Sequence, residues 1–156
     1  MNIIMAKMDK IISECDKHVL RIGHAYSKLK VIMPLTAERY ESLTEDEIEH
    51  IDQFLFRFSK LQDALGEKLF LNILLFLKEE NMKSKPFVDI LNRLEKLDLL
   101  ENKDIWLELR TIRNDVAHEY GDDPAEMANA INKICGKKEI LEKIFFKIKE
   151  FYLKRR

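Results

Sequence analysis

The chain has 156 residues, of which 27 are Lys or Arg and 28 are Asp or Glu, so its formal net charge at pH 7 is −1. This length allows one domain with a hydrophobic core and is too short for two, so residues 1–156 are expected to form a single domain. The balanced charge excludes a uniformly basic nucleic-acid-binding surface. Four glycines and three prolines provide few turns, which favours long helices over many short strands.

The two cysteines, Cys15 and Cys135, are far apart in the sequence and lack the spacing of metal ligands. This arrangement is typical of two buried thiols in a reducing compartment, and a disulfide between them is the less favoured alternative. Charges interrupt the apolar residues of the N-terminal MNIIMAKMDKII, which therefore lacks a signal-peptide layout. No apolar run reaches the length of a membrane span. The sequence thus predicts a cytoplasmic protein without membrane association.

The first predicted helix occupies the N-terminal part of the chain. Its apolar residues recur at steps of three and four, the spacing of one helix face. They are Ile4, Met8, Ile11, Cys15, Val19, Ile22, Tyr26 and Leu29. The next segment, MPLTAERYESL, contains a proline and breaks this period, so we expect it to be a connection.

The second predicted helix begins after Thr44, which has the spacing of a capping box with Glu47. Its face has the three-and-four spacing of near-antiparallel helices in a bundle, interrupted by Gln62 and Asn72. That face contains Ile48, Ile51, Leu55, Phe58, Gln62, Leu65, Leu69, Asn72 and Phe76. Gly66 inside the helix costs about 1 kcal/mol relative to alanine, so we expect a neighbouring helix to cross close to it.

Three further helices are predicted after the segment NMKSKP. Pro86 opens the third, the fourth runs from about Lys103 to Tyr120, and Asp123 caps a fifth in which Gly136 is a candidate kink. Their apolar faces contain Phe87, Ile90, Leu91, Leu94 and Leu97, then Ile105, Leu109, Ile112 and Val116, then Met127, Ile131, Ile134, Leu141, Phe145, Ile148 and Tyr152. With no strand-like alternation, the sequence predicts an all-α fold, an antiparallel bundle of four to five helices.

A polar cluster closes the fourth helix in the stretch ELRTIRNDVAHEY. The simplest interpretation is a helix end that faces water, where arginine and histidine also suit the negative end of the helix dipole. The alternative is an active site, because metal-free RNA cleavage needs a proton acceptor and donor together with positive charge at the phosphate. His118 can exchange the protons, Arg113 can bind phosphate oxygens, and Asn114 can position a phosphate.

The helical positions of these side chains raise a geometric problem. At about 100° per residue, Arg113 and His118 lie roughly 140° apart around an ideal helix. His118 shares a face with Asn114 and Arg110, whereas Arg113 shares one with Tyr120. Arg113 and His118 therefore meet only if the last turn is distorted or if a second copy of the chain completes the cleft.

The stretch RNDVAHEY resembles the R-x4-H-x-Y signature of the HEPN superfamily, specifically the HepT-like toxins. Arg113, Asn114 and His118 match the general motif, and Tyr120 matches its longer HepT form. The upstream FRFSKLQDALGEKLF also resembles the long helix of such proteins. The resemblance implies a HEPN-like helical bundle that forms a homodimer with the motif at the interface, so that both copies line one cleft.

The same resemblance implies a function and a partner. Many HEPN proteins are metal-independent endoribonucleases without cofactors, and HepT-like toxins pair with a small MntA-type nucleotidyltransferase antitoxin that adds AMP to the motif tyrosine. By this resemblance Arg113 and His118 are catalytic, Asn114 supports them, and Tyr120 is the AMP acceptor. The chain is thus expected to be the ribonuclease toxin of a toxin–antitoxin pair, with RNA as substrate.

Two other interpretations of the polar cluster remain open. One is a non-catalytic HEPN module that binds a nucleotidyltransferase partner or a nucleotide, and the other is a purely structural helical dimer. Gln62 and Asp63 are candidates to orient Arg113 or His118, or else are ordinary polar positions of the long helix. Trp106 is expected in the core, with RNA stacking as the lesser alternative.

Overall fold

The computed structural model describes residues 3–117 and 123–156, and these ranges contain helices and no β-strand. The all-α prediction is therefore confirmed. The elements in chain order are α1 (Ile3–Leu29), α2 (Ala37–Glu41), α3 (Glu45–Ala64), a π-helical segment (Leu65–Leu69), α4 (Phe70–Phe76), a 3-10 turn (Glu80–Ser84), α5 (Phe87–Lys96), α6 (Lys103–Ala117), α7 (Pro124–Cys135) and α8 (Lys138–Arg155). No helix in the described ranges is both long and apolar enough to span a bilayer.

Helix α1 has the predicted apolar face and packs mainly along α3. Its buried residues include Met8, Cys15 and Ile22, which belong to the hydrophobic core that most helices share. The C-terminal α8 joins the same core, and the hydroxyl of its buried Tyr152 donates a hydrogen bond to Asp9 of α1, with 2.6 Å between Oη and Oδ1. Cys15 and Cys135 are both buried and free, as the thiol interpretation predicts.

The segment 33–43 is more ordered than the predicted connection, because it contains the short helix α2. Thr36 begins this helix, and its hydroxyl accepts a hydrogen bond from the backbone N–H of Arg39 at 3.1 Å. The side chain of Asn132 in α7 also bonds both backbone groups of Leu35, at 2.7 and 2.9 Å. A local cap and a distant side chain therefore stabilise a turn that hydrophobic periodicity does not reveal.

The long second helix starts as predicted, with both hydrogen bonds of the capping box between Thr44 and Glu47. Helix α3 then continues through the π-helical segment into α4, so residues 45–76 are helical throughout. The predicted close crossing at Gly66 is present: a Cβ built on Gly66 would lie 3.0 Å from Cζ2 of Trp106 in α6. This contact brings α6 against the middle of the long helix.

The prediction of one kinked fifth helix is wrong, since the chain forms two helices there. Asp123 caps α7 by accepting hydrogen bonds from the backbone N–H groups of Ala125 and Glu126, at 3.0 and 3.2 Å. Helix α7 ends at Cys135 with Gly136 as its C-cap, and Lys137 leaves the helical conformation before α8 begins. This break and the additional α2 explain why the structure has more helices than the predicted four to five.

Gly66→Ala is expected to lower the free energy of unfolding, although alanine is the better helix former. Trp106 is 2 % exposed, so its ring would have to shift against the surrounding core to accommodate the new methyl group. Overpacking typically costs about 1–3 kcal/mol, which equals or exceeds the gain of about 1 kcal/mol in helix propensity. Urea denaturation would measure the change.

Gly23→Ala in α1 is the matched control, because a Cβ at that position has nothing within 4 Å. It is expected to raise the free energy of unfolding by up to about 1 kcal/mol. Equal stabilisation by the two substitutions would contradict the close contact between Gly66 and Trp106.

Candidate functional site

A pocket of about 270 Å³ lies between the long helix and α6. Its inner wall contains the buried side chains of Gln62 and Trp106, and Arg113 and the exposed Arg110 lie at its edge. The complete lining is Gln62, Asp63, Gly66, Glu67, Phe87, Trp106, Arg110 and Arg113. The pocket therefore combines aromatic surface with charged groups of both signs.

Helical spacing explains why these side chains converge. Trp106, Arg110 and Arg113 are separated by steps of four and three, so they lie on one face of α6. Gln62 and Gly66 are four residues apart on the long helix, and the missing side chain of Gly66 admits the Trp106 ring. The π-helical segment begins three residues after Gln62, and such segments occur frequently at functional sites.

Arg113 is held by the carboxylate of Asp63 on the neighbouring helix. Its Nη1 donates to Oδ1 at 2.5 Å and its Nη2 to Oδ2 at 3.3 Å, which is a bidentate pairing. Both side chains are about one-third exposed, so the pair contributes at most about 1 kcal/mol to stability. Its main consequence is to orient the guanidinium of Arg113 at the pocket.

Arg110 lies at the same pocket in a different environment. Its Cζ is 5.8 Å from the centroid of the Phe87 ring, which is within the range of a cation–π contact. Arg110 is exposed and has no carboxylate partner among residues 3–117 and 123–156. The pocket therefore has one arginine oriented by an acid and a second that has no carboxylate partner within the described ranges.

Gln62 and Trp106 bring unsatisfied polar atoms to the inner wall. Each residue is 2 % exposed. Within the described part of the chain, neither Oε1 nor Nε2 of Gln62 has a hydrogen-bond partner, and the same is true of Nε1 of Trp106. Most buried polar groups in proteins are paired, and leaving one unpaired costs about 1–3 kcal/mol. Two neighbouring exceptions at one pocket therefore identify it as a candidate binding site.

A shallow apolar groove begins on the other side of Arg113. Leu55, Phe56, Ser59, Arg113, Val116 and Ile134 line it. Phe56 is 54 % exposed at the centre of α3. Arg113 thus lies where a polar pocket and an apolar surface meet.

The structure brings Arg113, Asp63 and Gln62 together in the pocket lining. The same lining contains Trp106, which is buried as predicted. Asn114 is exposed on α6 and is not part of the pocket lining. His118 and Tyr120 lie outside the described residues. The catalytic and supporting roles assigned to all these side chains stay predictions.

Sequence reasoning missed Arg110, Phe87 and Glu67 as members of the pocket. Helical spacing could have revealed Arg110, since it is three positions before Arg113 and four after Trp106 and therefore lies on the same face of the helix. Phe87 and Glu67 carry no such signal, because Phe87 resembles a core residue and Glu67 a surface residue of their helices. Only the packing of α5 and α6 on the long helix assembles them.

The described residues thus form an all-α protein that has a polar pocket, with arginines at its edge, beside an apolar groove. Among the described residues, no group of three or more His, Cys, Asp or Glu is arranged to hold a metal ion. No protein-family model, no curated protein and no solved structure matches the chain.

Gln62→Leu is expected to raise the free energy of unfolding by about 1–3 kcal/mol, because it replaces an unpaired buried amide with an apolar side chain of similar size. Gln53→Leu on the same helix is the control: Gln53 is only half-buried and lies outside the pocket. Its effect should remain within about 0.5 kcal/mol. Chemical denaturation measures both, and destabilisation by Gln62→Leu would mean that the amide is hydrogen-bonded in solution.

Proposed function

We propose that this protein is a metal-independent endoribonuclease and the toxin of a toxin–antitoxin pair. The observation that supports the proposal is the bidentate hold of Asp63 on Arg113 at the edge of a pocket that also contains Arg110. A preoriented guanidinium is suited to a phosphate group, because its planar donors match two phosphate oxygens. The resemblance of RNDVAHEY to the HepT signature supplies the reaction type.

In the proposed reaction, the 2′-OH of RNA attacks the adjacent phosphorus. His118 is the proton-transfer group. The 2′-OH loses its proton as the O2′–P bond forms, and the leaving O5′ gains a proton as the P–O5′ bond breaks. The products are a 2′,3′-cyclic phosphate and a 5′-hydroxyl. Arg113 stabilises the negative charge of the pentacoordinate phosphorane, and Asn114 positions the phosphate.

Asp63 has a positioning role in this proposal. Without its carboxylate, the flexible side chain of Arg113 would sample several rotamers and would lose side-chain entropy on meeting the phosphate. Because Arg113 keeps its charge when paired, the acid orients the guanidinium without removing its attraction for an anion. The carboxylate also weakens ground-state binding of phosphate.

The proposed active form is a homodimer. The groove beside Arg113 and the exposed ring of Phe56 support this, because aromatic residues are enriched at protein interfaces. A two-fold dimer through this groove would place the Arg113 of both protomers near one axis. Such a composite cleft also removes the need for Arg113 and His118 to share one face of a single helix.

The proposed antitoxin is a small MntA-type nucleotidyltransferase that adds AMP to Tyr120. The modification would place a negative phosphate and a bulky nucleoside close in sequence to Arg113. The phosphate would then compete with RNA for the guanidinium, which is a direct physical route to inhibition.

The nuclease proposal predicts cleavage of single-stranded RNA in the presence of EDTA, with a 2′,3′-cyclic phosphate as product. Arg113→Ala should lower kcat/KM by about 10²–10³-fold, the usual loss for one group that stabilises transition-state charge. His118→Ala should also abolish most activity. Arg21→Ala, an exposed arginine of α1 away from the pocket, is the matched control and should leave kcat/KM unchanged.

Cleavage that requires a metal ion, or that survives Arg113→Ala, would refute the proposed mechanism. Absence of cleavage combined with nucleotide or partner binding that depends on Arg113 would instead favour the non-catalytic binding module.

The dimer proposal predicts that Phe56→Glu converts the protein to monomers, measured by light scattering after size exclusion, and lowers RNA cleavage with it. A charge in the groove would have to lose its water at the interface. Phe146→Glu is the control, because Phe146 is 44 % exposed on α8 and lies outside the groove. A monomeric wild type, or a dimer that tolerates Phe56→Glu, would exclude this interface.

A further inference from the structure

The unpaired polar atoms of the pocket indicate which chemical group it accepts. The Gln62 amide and the Trp106 indole N–H are both buried, and neither has a hydrogen-bond partner in the described ranges. Together they offer one acceptor, Oε1, and at least two donors, Nε2–H and Nε1–H. A ligand that satisfies them must present one donor and two acceptors, on a surface flat enough to fit between helices.

Each of the four RNA bases meets this requirement. Adenine has N6–H between the acceptors N7 and N1, and guanine has N1–H next to the acceptor O6, with the acceptor N7 on the other side of O6. Cytosine has N4–H beside N3 and O2, and uracil has N3–H between O4 and O2. The donor and acceptor set of the pocket therefore complements a nucleobase in general, without selecting one base.

The size of the pocket and the two arginines at its edge agree with this chemistry. Its volume of about 270 Å³ is below the roughly 300–1,000 Å³ of sites for drug-sized ligands, so it suits a small ligand such as a single base. Phe87 and Trp106 provide aromatic surface, on which bases stack without sequence preference. Arg110 and Arg113 at the edge belong to the same lining and can contact the phosphate on the ribose of the same nucleotide.

We propose that the Gln62–Trp106 pocket binds one unpaired nucleobase of the RNA strand, next to the phosphate that Arg113 contacts. The identity of the strand as substrate rests on the proposed function, whereas the recognition of a base rests on the pocket alone. Because the amide and indole are covered from bulk water, a base reaches them through a side-chain rotation of Gln62 or Trp106. Binding therefore changes the surroundings of the indole.

This change is directly measurable, because Trp106 is the single tryptophan of the chain. The emission of the full-length wild type is recorded during titration with uridine 5′-monophosphate, adenosine 5′-monophosphate and ribose 5-phosphate, with excitation at the red edge of the indole band to limit absorption by the bases. We expect a saturable change with both nucleotides. Ribose 5-phosphate has the phosphate and sugar without the base, and should bind at least about ten-fold more weakly.

Gln62→Leu is expected to weaken nucleotide binding at least about ten-fold and to leave ribose 5-phosphate binding unchanged. Gln53→Leu, its matched control, should bind nucleotides as the wild type does. Arg110→Gln provides an independent variant on an exposed position, and it should weaken nucleotides and ribose 5-phosphate alike. Circular dichroism of each variant verifies that it is folded.

Three results would overturn the inference: no saturable change with either nucleotide, equal affinity for nucleotides and ribose 5-phosphate, or unchanged nucleotide binding by folded Gln62→Leu. If RNA is cleaved and one of these is found, the nuclease proposal stands and the base pocket fails. If nucleotides bind through Gln62 and RNA is not cleaved, the base pocket stands and the nuclease proposal fails.

Discussion

The contact between Trp106 and Gly66 is the constraint on which the arrangement of the site depends. A tryptophan ring can approach the backbone of the long helix this closely only where no Cβ intervenes. The ring also meets Phe70 edge to face, with 4.7 Å between the centroids, so it is held on two sides. Since Arg113 is two helical turns after Trp106 on the same helix, seating the ring also brings the guanidinium to Asp63.

The inner wall of the pocket is locally unfavourable for stability: within the described ranges the buried polar atoms of Gln62 and Trp106 have no hydrogen-bond partner, while the core around them is apolar and buried. Phe54, Phe58 and Phe70 are fully buried along the same helix, and each apolar side chain of this size stabilises the fold by about 1.5–3 kcal/mol. This burial offsets the cost of an unpaired amide and indole N–H. Stability maintained elsewhere in the core thus permits a locally unfavourable wall at the pocket.

The position of Arg113 between the pocket and the groove connects the proposals for substrate and for assembly. On one side its guanidinium is beside Asp63 and the polar wall, and on the other side it borders the surface that includes Phe56. A partner docked on that surface would cover one side of the arginine from water and so strengthen its attraction for a phosphate. Assembly and catalysis would then be coupled through a single side chain.

The sequence predicted the features that depend on neighbours along the chain. The spacing of apolar residues located the long helices, the Thr44–Glu47 pattern located the start of α3, and Asp123 located the start of α7. These signals are local because caps and helix faces involve residues at most a few positions apart. The same reasoning missed α2, next to which the distant side chain of Asn132 bonds the backbone of Leu35. It also missed the break after Gly136, where the backbone leaves helical geometry at Lys137.

By itself the sequence determined that the chain is helical. It also singled out Arg113, Gln62 and Asp63 as candidates, but only the tertiary structure decided which residues each of them contacts. Asp63 and Arg113 are 50 positions apart, and periodicity specifies which residues share a face without specifying which faces meet. Packing α5 and α6 on the long helix selected Phe87 and Arg110 for the pocket, because close contact between helices depends on the shapes of all their side chains together.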